Sequence, residues 1–158
     1  MFNNELLDIL QKSKIFKGLS DDYLQKISSH GNMLQIKRND IIIEQGQTGH
    51  PLFVITEGQV EVFLPKIRKG GMQERPTKIR LNRLTKGNCI GEYSLIDNEP
   101  ASASVVAMEP CKILKISRSE FEKMIISSDY LAQVIYKNML KVLIKRSRQY
   151  GNELDICY

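Results

Sequence analysis

The chain has 158 residues, which suits a single domain with its own hydrophobic core. Its 42% hydrophobic and 26% charged residues are ordinary for a soluble globular protein, and it has no apolar run of about 20 residues to span a membrane. The first residues lack the basic and apolar pattern of a secretory signal. The three cysteines are scattered and odd in number, so we expect reduced thiols in a cytoplasmic protein rather than a disulfide framework.

Residues 1–32 are predicted to form two short helices. The first has apolar residues at helical spacing and is broken at Gly18. The second is predicted to begin after Ser20, a preferred N-cap residue, with Asp21 and Asp22 in its first turn, where negative charge is favoured.

Residues 33–116 are predicted to form a jelly-roll-like β-roll of about eight short strands, because short apolar or alternating runs are separated by glycine turns. The β-branched run Ile41–Ile43 predicts a strand covered on both faces. A polar loop follows over residues 65–77, and the next strand is predicted to point three apolar residues inward: Ile79, Leu81 and Leu84. The fold class is therefore mainly β, with helices at both ends, in one domain over residues 1–158.

Residues 117–150 are predicted to form two C-terminal helices. Ser117 and Glu120 have the spacing of a capping box at the start of the first. The last helix is predicted to run from about Asp129 to about Gln149 and to end at Gly151.

The last helix carries apolar residues on more than one face, which predicts burial on more than one side. Four of them alternate at spacings of three and four, the seam of a helix that pairs with a second helix: Ala132, Ile135, Met139 and Val142. We therefore expect a homodimer, or a partner protein, bound through this helix. The alternative is that the whole helix packs within the monomer.

Two segments carry a resemblance to a known family. The first runs from Ile43 to Val60 and the second from Lys86 to Ala107, with five glycines at the expected offsets. Together with residues 16–20 they resemble the cyclic nucleotide-binding domain family, which includes bacterial transcription regulators, kinase regulatory subunits and channel gating domains. The resemblance covers roughly residues 14–126 and implies the β-roll fold.

The resemblance also implies that residues 91–104 form the family's phosphate-binding cassette. Gly91 permits close backbone approach to a ligand, and the N–H groups of the turn that follows can hold an anion. A carboxylate at Glu92 can accept a ribose 2′-hydroxyl, as acidic residues do in dinucleotide folds. The candidate ligand-binding residues are Gly91, Glu92, Tyr93, Ser94, Ala101, Ser102 and Ser104, the last offering its hydroxyl to a phosphate.

Ala101 stands where the family has an arginine that binds the cyclic phosphate with both arms of its guanidinium. Removing one member of such a buried pair costs about 3–5 kcal/mol, or roughly two to four decades of affinity. Between Gly87 and Ala107 the sequence has no lysine or arginine and three acids. A cation from the 66–83 stretch or the last helix is the open alternative. Tyr93 departs from the aliphatic residue that is usual in the family. The alternative interpretation of the cassette is that its turn and short helix serve only to close the β-roll and bind no ligand.

Basic residues cluster in the 65–77 loop and near the end of the last helix, at Lys137, Lys141, Lys145, Arg146 and Arg148. The favoured interpretation is a solvated loop plus basic last turns that complement the helix dipole, with an anionic partner as the alternative. Nucleic acid is not expected, because only residues 151–158 follow the predicted helix and no helix-turn-helix domain is among them.

These observations predict a non-catalytic regulatory or interaction module that does not bind cAMP or cGMP tightly in the family's usual mode. His30 and His50 show no metal-ligand spacing with each other or with the cysteines, and no nucleophile or phosphate-loop motif appears. No enzyme activity, metal or cofactor is expected, apart from a weakly or atypically held cyclic nucleotide. The alternatives are a genuine small-ligand sensor at the cassette and a fragment of a DNA-binding regulator.

Overall fold

The computed structural model describes residues 2–66 and 76–156. Residues 67–75, which make up most of the predicted basic loop, lie outside the described part of the chain, as does Cys157. The helices are α1 Phe2–Lys12, α2 Asp21–Ser29, α3 Ser94–Asp97, α4 Arg118–Ile126 and α5 Asp129–Ile156. The strands are β1 Gly31–Ile36, β2 Ile41–Ile43, β3 Leu52–Glu57, β4 Gln59–Leu64, β5 Ile79–Thr85, β6 Cys89–Ile90, β7 Ser104–Ala107 and β8 Cys111–Ile116.

The strands form two four-stranded antiparallel sheets, in the orders β1-β8-β3-β6 and β2-β7-β4-β5. The predicted jelly-roll-like β-roll with helices at both ends is confirmed. Strand β3 shows why the roll is stable. Phe53 and Ile55 face the core between the two sheets, whereas Leu52 and Val54 face a second core formed with the helices. A central strand covered on both faces is a continuous apolar run, as the sequence of β3 is.

Two predicted apolar patterns fit the roll less well. Ile41 of β2 is 54% exposed, and Ile79 and Leu81 of β5 are each 44% exposed. Both strands lie at the edges of the second sheet, so each has a strand neighbour on one side only. Strand β5 also has a register shift against β4 opposite Val62 and Phe63. The prediction that Ile41–Ile43 is covered on both faces was wrong, and of the inward set in β5 Leu84 alone is buried.

Helices α2 and α4 begin where the sequence predicts, whereas α5 extends beyond its predicted end. The Ser117 hydroxyl accepts a hydrogen bond from the Glu120 N–H, which is one of the two bonds of a capping box, whereas the Glu120 carboxylate binds His30 and Lys123. Ser20 holds the N-cap position of α2 with extended backbone but no side-chain capping hydrogen bond. Helix α5 does not end at Gly151 and continues to Ile156. Gly151 costs only about 1 kcal/mol in an exposed helix, and the helix-forming residues around it maintain the helix.

Helix α5 lies against the roll through buried residues that belong to the helix-side core. Leu131, Ile135 and Met139 are each at most 2% exposed. Asn138 lies between them and donates from Nδ2 to the carbonyl oxygens of Ile15 (2.9 Å) and Lys17 (2.8 Å). The segment after α1 is therefore fixed to α5, which brings the second half of α5 over the cassette.

Candidate functional site: the cassette cavity

The cassette begins at a glycine that no other residue replaces without strain. Gly91 has φ +88°, and a Cβ built on it would lie 2.5 Å from the carbonyl oxygen of Pro51. A positive φ and a backbone contact this close both require glycine. The turn at residues 91–93 is therefore packed against the His50–Pro51 turn, and α3 starts directly after it.

Glu92, the expected ribose acceptor, is bound by the last helix. Its side chain is buried, and its Oε1 lies 3.1 Å from Nη1 of Arg146 on α5. Arg146 also donates a hydrogen bond to the Tyr93 hydroxyl, and its guanidinium carbon lies 5.3 Å from the centre of the Tyr93 ring. Arg146 thus makes an ion pair, a hydrogen bond and a cation–π contact with two consecutive cassette residues.

Burial and the ion pair act in opposite directions on the pKa of each partner. Burial raises the pKa of Glu92 above its ordinary value, although a backbone hydrogen bond and the charge and hydrogen bond of Arg146 act in the opposite direction. Burial also lowers the pKa of Arg146, but Glu92 and Tyr93 outweigh it and the net shift is upward. The pair is therefore a desolvated one, in which each charge depends on the other.

The cassette lines a cavity of about 800 Å³. Six of the seven predicted ligand-binding residues line it together: Gly91, Glu92, Tyr93, Ser94, Ala101 and Ser102. Ser104 is buried on the adjoining strand, where its hydroxyl accepts a hydrogen bond from the N–H of Gln45 at 2.9 Å. Gln45 in turn donates from Nε2 to the carbonyl oxygen of Ser102 at 3.0 Å. The Ser104 hydroxyl therefore also serves to hold the β2–β3 segment against the cassette.

The charged groups that line this cavity are mostly acidic and therefore disfavour a phosphate. Its lining includes three acids, Glu92, Asp97 and Glu99, and among the described residues Arg146 is its single cation. Ala101, which the resemblance places at the family's arginine position, is buried and belongs to the core between the sheets. The open alternative of a cation from the last helix is realised in Arg146, but its guanidinium is held by Glu92.

His50 is a cavity residue that the sequence did not point to. It is 3% exposed and lines the cavity, and its Nδ1 lies 3.3 Å from the carbonyl oxygen of Pro51. Because a carbonyl only accepts, Nδ1 carries the hydrogen and neutral His50 presents Nε2 as an acceptor. Within the described residues Nε2 has no hydrogen-bond partner. No sequence spacing links position 50 to the cassette, since the contact depends on the turn against Gly91.

The predicted pairing seam of the last helix is divided between two environments. Ile135 and Met139 are buried in the core of the same chain, so they are not available to a partner, whereas Ala132 and Val142 are half-buried. Among the α5 side chains that the structure describes, the exposed large apolar ones are instead Tyr130, Tyr136, Leu140 and Ile144. The last three follow at intervals of four residues and form one stripe along the helix.

The described residues contain no helix long and apolar enough to cross a bilayer. They also contain no group of three or more histidine, cysteine or acidic side chains that could hold a metal ion.

Comparison with known proteins agrees with the fold. The family model of the cyclic nucleotide-binding domain matches residues 33–128, well over half of the chain. The chain belongs to the cyclic nucleotide-binding domain family. The cGMP-dependent protein kinase egl-4 of Caenorhabditis elegans is 31% identical over 144 residues, which cover 84% of this chain and 18% of the kinase. The cyclic AMP receptor protein of Thermus thermophilus is 28% identical over 147 residues, 93% of this chain and 63% of that protein.

Solved structures of the family superpose on the chain over nearly its whole length. A cyclic nucleotide-binding domain from Methylobacillus flagellatus KT has a TM-score of 0.79, with 25% identity over 96% of this chain and 82% of that one. The catabolite activator protein of Thermus thermophilus has a TM-score of 0.75 and 26% identity over 91% of this chain and 62% of that one. The chain therefore spans less than two thirds of the full-length relatives named here, and less than a fifth of the kinase.

Proposed function

We propose that this chain is a non-catalytic regulatory or protein-interaction module whose cassette does not bind cAMP or cGMP tightly in the family's usual mode. The observation that carries the proposal is the pairing of Glu92 with Arg146 above a cassette that has Ala101 in place of arginine. A cytoplasmic location is part of the same proposal.

A cyclic nucleotide in the usual mode needs an acceptor for its ribose and a cation for its phosphate. Here the acceptor is already bound, so the ribose hydroxyl must displace Arg146 from a buried carboxylate. The phosphate then meets hydroxyls and acids in place of a guanidinium. The missing charge pair alone lowers affinity by roughly two to four decades, which turns a micromolar site into a millimolar one or weaker.

A small-ligand sensor is the second candidate, and two observations favour it. The cavity of about 800 Å³ is in the size range of small-molecule sites. His50 presents a buried Nε2 without a hydrogen-bond partner in the described chain, which suits a ligand with a hydroxyl or N–H donor. A fragment of a longer DNA-binding regulator is the third alternative, and a longer native reading frame would favour it.

Thermal or urea unfolding with added nucleotide separates the first two candidates. A micromolar site stabilises the folded state by about 4 kcal/mol at 1 mM ligand, whereas a millimolar site does so by about 0.4 kcal/mol. We expect the smaller effect for both cAMP and cGMP, with 5′-AMP as the control ligand. Stabilisation near the larger value, specific to the cyclic nucleotides, overturns the proposal.

We further propose that a second copy of the chain packs on the stripe of Tyr136, Leu140 and Ile144. These side chains are 38–58% exposed on a helix that is already anchored to the roll by its other face. Sedimentation of the wild type at about 50 μM is expected to show a dimer. The double variant Leu140→Lys with Ile144→Lys is expected to sediment as a monomer. Ile126→Lys, at an 83% exposed apolar residue outside α5, is the control and keeps the dimer. A wild-type monomer, or equal behaviour of the two variants, contradicts this assignment.

A further inference from the structure

A second cavity lies beside the cassette cavity, on the other side of the Glu92–Arg146 pair. Its volume is about 690 Å³. It is bounded by the segment after α1, the end of β5 with the β5–β6 turn, and the second half of α5. Six cations from these three elements line it: Lys14, Lys17, Arg83, Lys141, Lys145 and Arg146.

The positive charge of this cavity is almost uncompensated. Among the described residues that line it, Glu92 is the single acid, and Arg146 binds that acid. The other five cations form no ion pair with any described residue, whereas lysines such as Lys112 and Lys123 do. Five free cations around one concavity focus a positive potential into it, which an anion relieves.

The walls of the cavity are held together by hydrogen bonds from a buried side chain. Buried Asn138 of α5 donates hydrogen bonds to the backbone oxygens of Ile15 and Lys17 on the opposite wall. Asn82, Asn88 and Gln149 add amide groups to the lining. Separate lysines on an open surface attract anions weakly, but fixed walls bring several charges to one ligand without the cost of ordering the backbone segments that carry them.

We propose that this second cavity binds a small molecule that carries two or three phosphate groups. Its volume is in the range of small-molecule sites rather than of a groove for a protein or a duplex. A phosphate monoester carries about −1.5 to −2 charges at neutral pH, so two or three such groups match five free cations. Glu92 is the single described cassette residue that lines this cavity, and the proposal does not depend on whether a cyclic nucleotide binds at the cassette.

Calorimetric titration with inorganic tripolyphosphate tests the proposal on the full chain. The wild type is expected to bind tripolyphosphate at least about tenfold more tightly than inorganic phosphate. The variant Lys141→Gln with Lys145→Gln removes two lining cations and is expected to weaken tripolyphosphate binding about tenfold. Both side chains are exposed, so the variant is expected to unfold at the wild-type temperature.

The matched control is Lys137→Gln with Arg148→Gln, which removes two exposed cations from the same helix outside both cavities. We expect its affinity for tripolyphosphate to stay within about twofold of the wild type. Equal weakening by the two double variants indicates attraction to the whole helix and overturns the cavity site, as does a wild type that does not bind at low salt. Titration of the same proteins with cAMP reports on the cassette separately, so failure of one proposal is distinguishable from failure of the other.

Discussion

The two cavities share a wall and differ in charge. Six residues line both: Asn82, Leu84, Cys89, Glu92, Arg146 and Gln149. On the cassette side the wall faces two further acids, Asp97 and Glu99, and the buried Ala101. On the other side it faces five cations that have no ion partner in the described chain.

This difference shows that the backbone of a binding site and its charge are separable properties. The predicted cassette opens with a glycine at positive φ and continues through a buried acid into a short helix. The predicted cassette has no arginine at position 101, whereas six cations line the neighbouring second cavity. The net charge of +5 describes the whole chain and therefore does not predict a positive charge at the cassette.

The largest expected effect comes from restoring the cassette charge with Ala101→Arg. Its side chain can extend into the cavity that Ala101 lines, and the new guanidinium–phosphate pair is expected to raise cAMP affinity by about 10²–10⁴-fold. Calorimetry on the variant and the wild type measures the ratio. Ala101→Met, which adds volume without charge, is expected to give no gain. An equal gain from methionine shows that packing, not charge, limits the cassette.

Breaking the shared wall with Arg146→Gln is expected to destabilise the fold by about 1–3 kcal/mol in urea denaturation. The loss is smaller than for a fully buried pair because the Arg146 side chain is 30% exposed. The control Arg148→Gln, at an exposed site two residues further on, should stay within about 0.5 kcal/mol of the wild type. Equal losses from the two variants would mean that the Glu92 contact contributes nothing.

The smallest effect is a pH dependence assigned to Glu92. Because burial raises its pKa above 4.5, the folded protein keeps a proton that the unfolded chain has already released. The contribution of Glu92 to stability is therefore largest below about pH 4.5 and declines as the pH rises through the raised folded pKa. Unfolding free energies of the wild type, minus those of Glu92→Gln, should fall with pH across this window. A difference that rises with pH contradicts the assignment.

The parts of the molecule that depend on local pattern were predicted from the sequence. Alternation and glycine turns indicated the eight strands, and the capping box located the start of α4. The resemblance placed the predicted cassette at residues 91–104, and Gly91, which opens it, has the positive φ that favours glycine.

The parts that depend on packing over long sequence distances were not predictable in the same way. Glu92 and Arg146 are 54 residues apart, and their contact requires α5 to be seated by Asn138 and the helix-side core. The side-chain environment of His50 likewise exists only once Gly91 packs against it. The prediction that Ile41 is buried was wrong because the sequence does not show which strand lies at an edge of the sheet.

The most direct test of the central claim follows the Arg146 side chain by NMR while cAMP is added to the wild type. If Arg146 stays bound to Glu92 and the cassette lacks its phosphate cation, its Nε–H resonance and the amides of Glu92 to Ser94 should not shift at micromolar cAMP. Any shift should appear only near millimolar ligand. Saturation of these resonances at low-micromolar cAMP, with displacement of the Arg146 signal, would contradict the account.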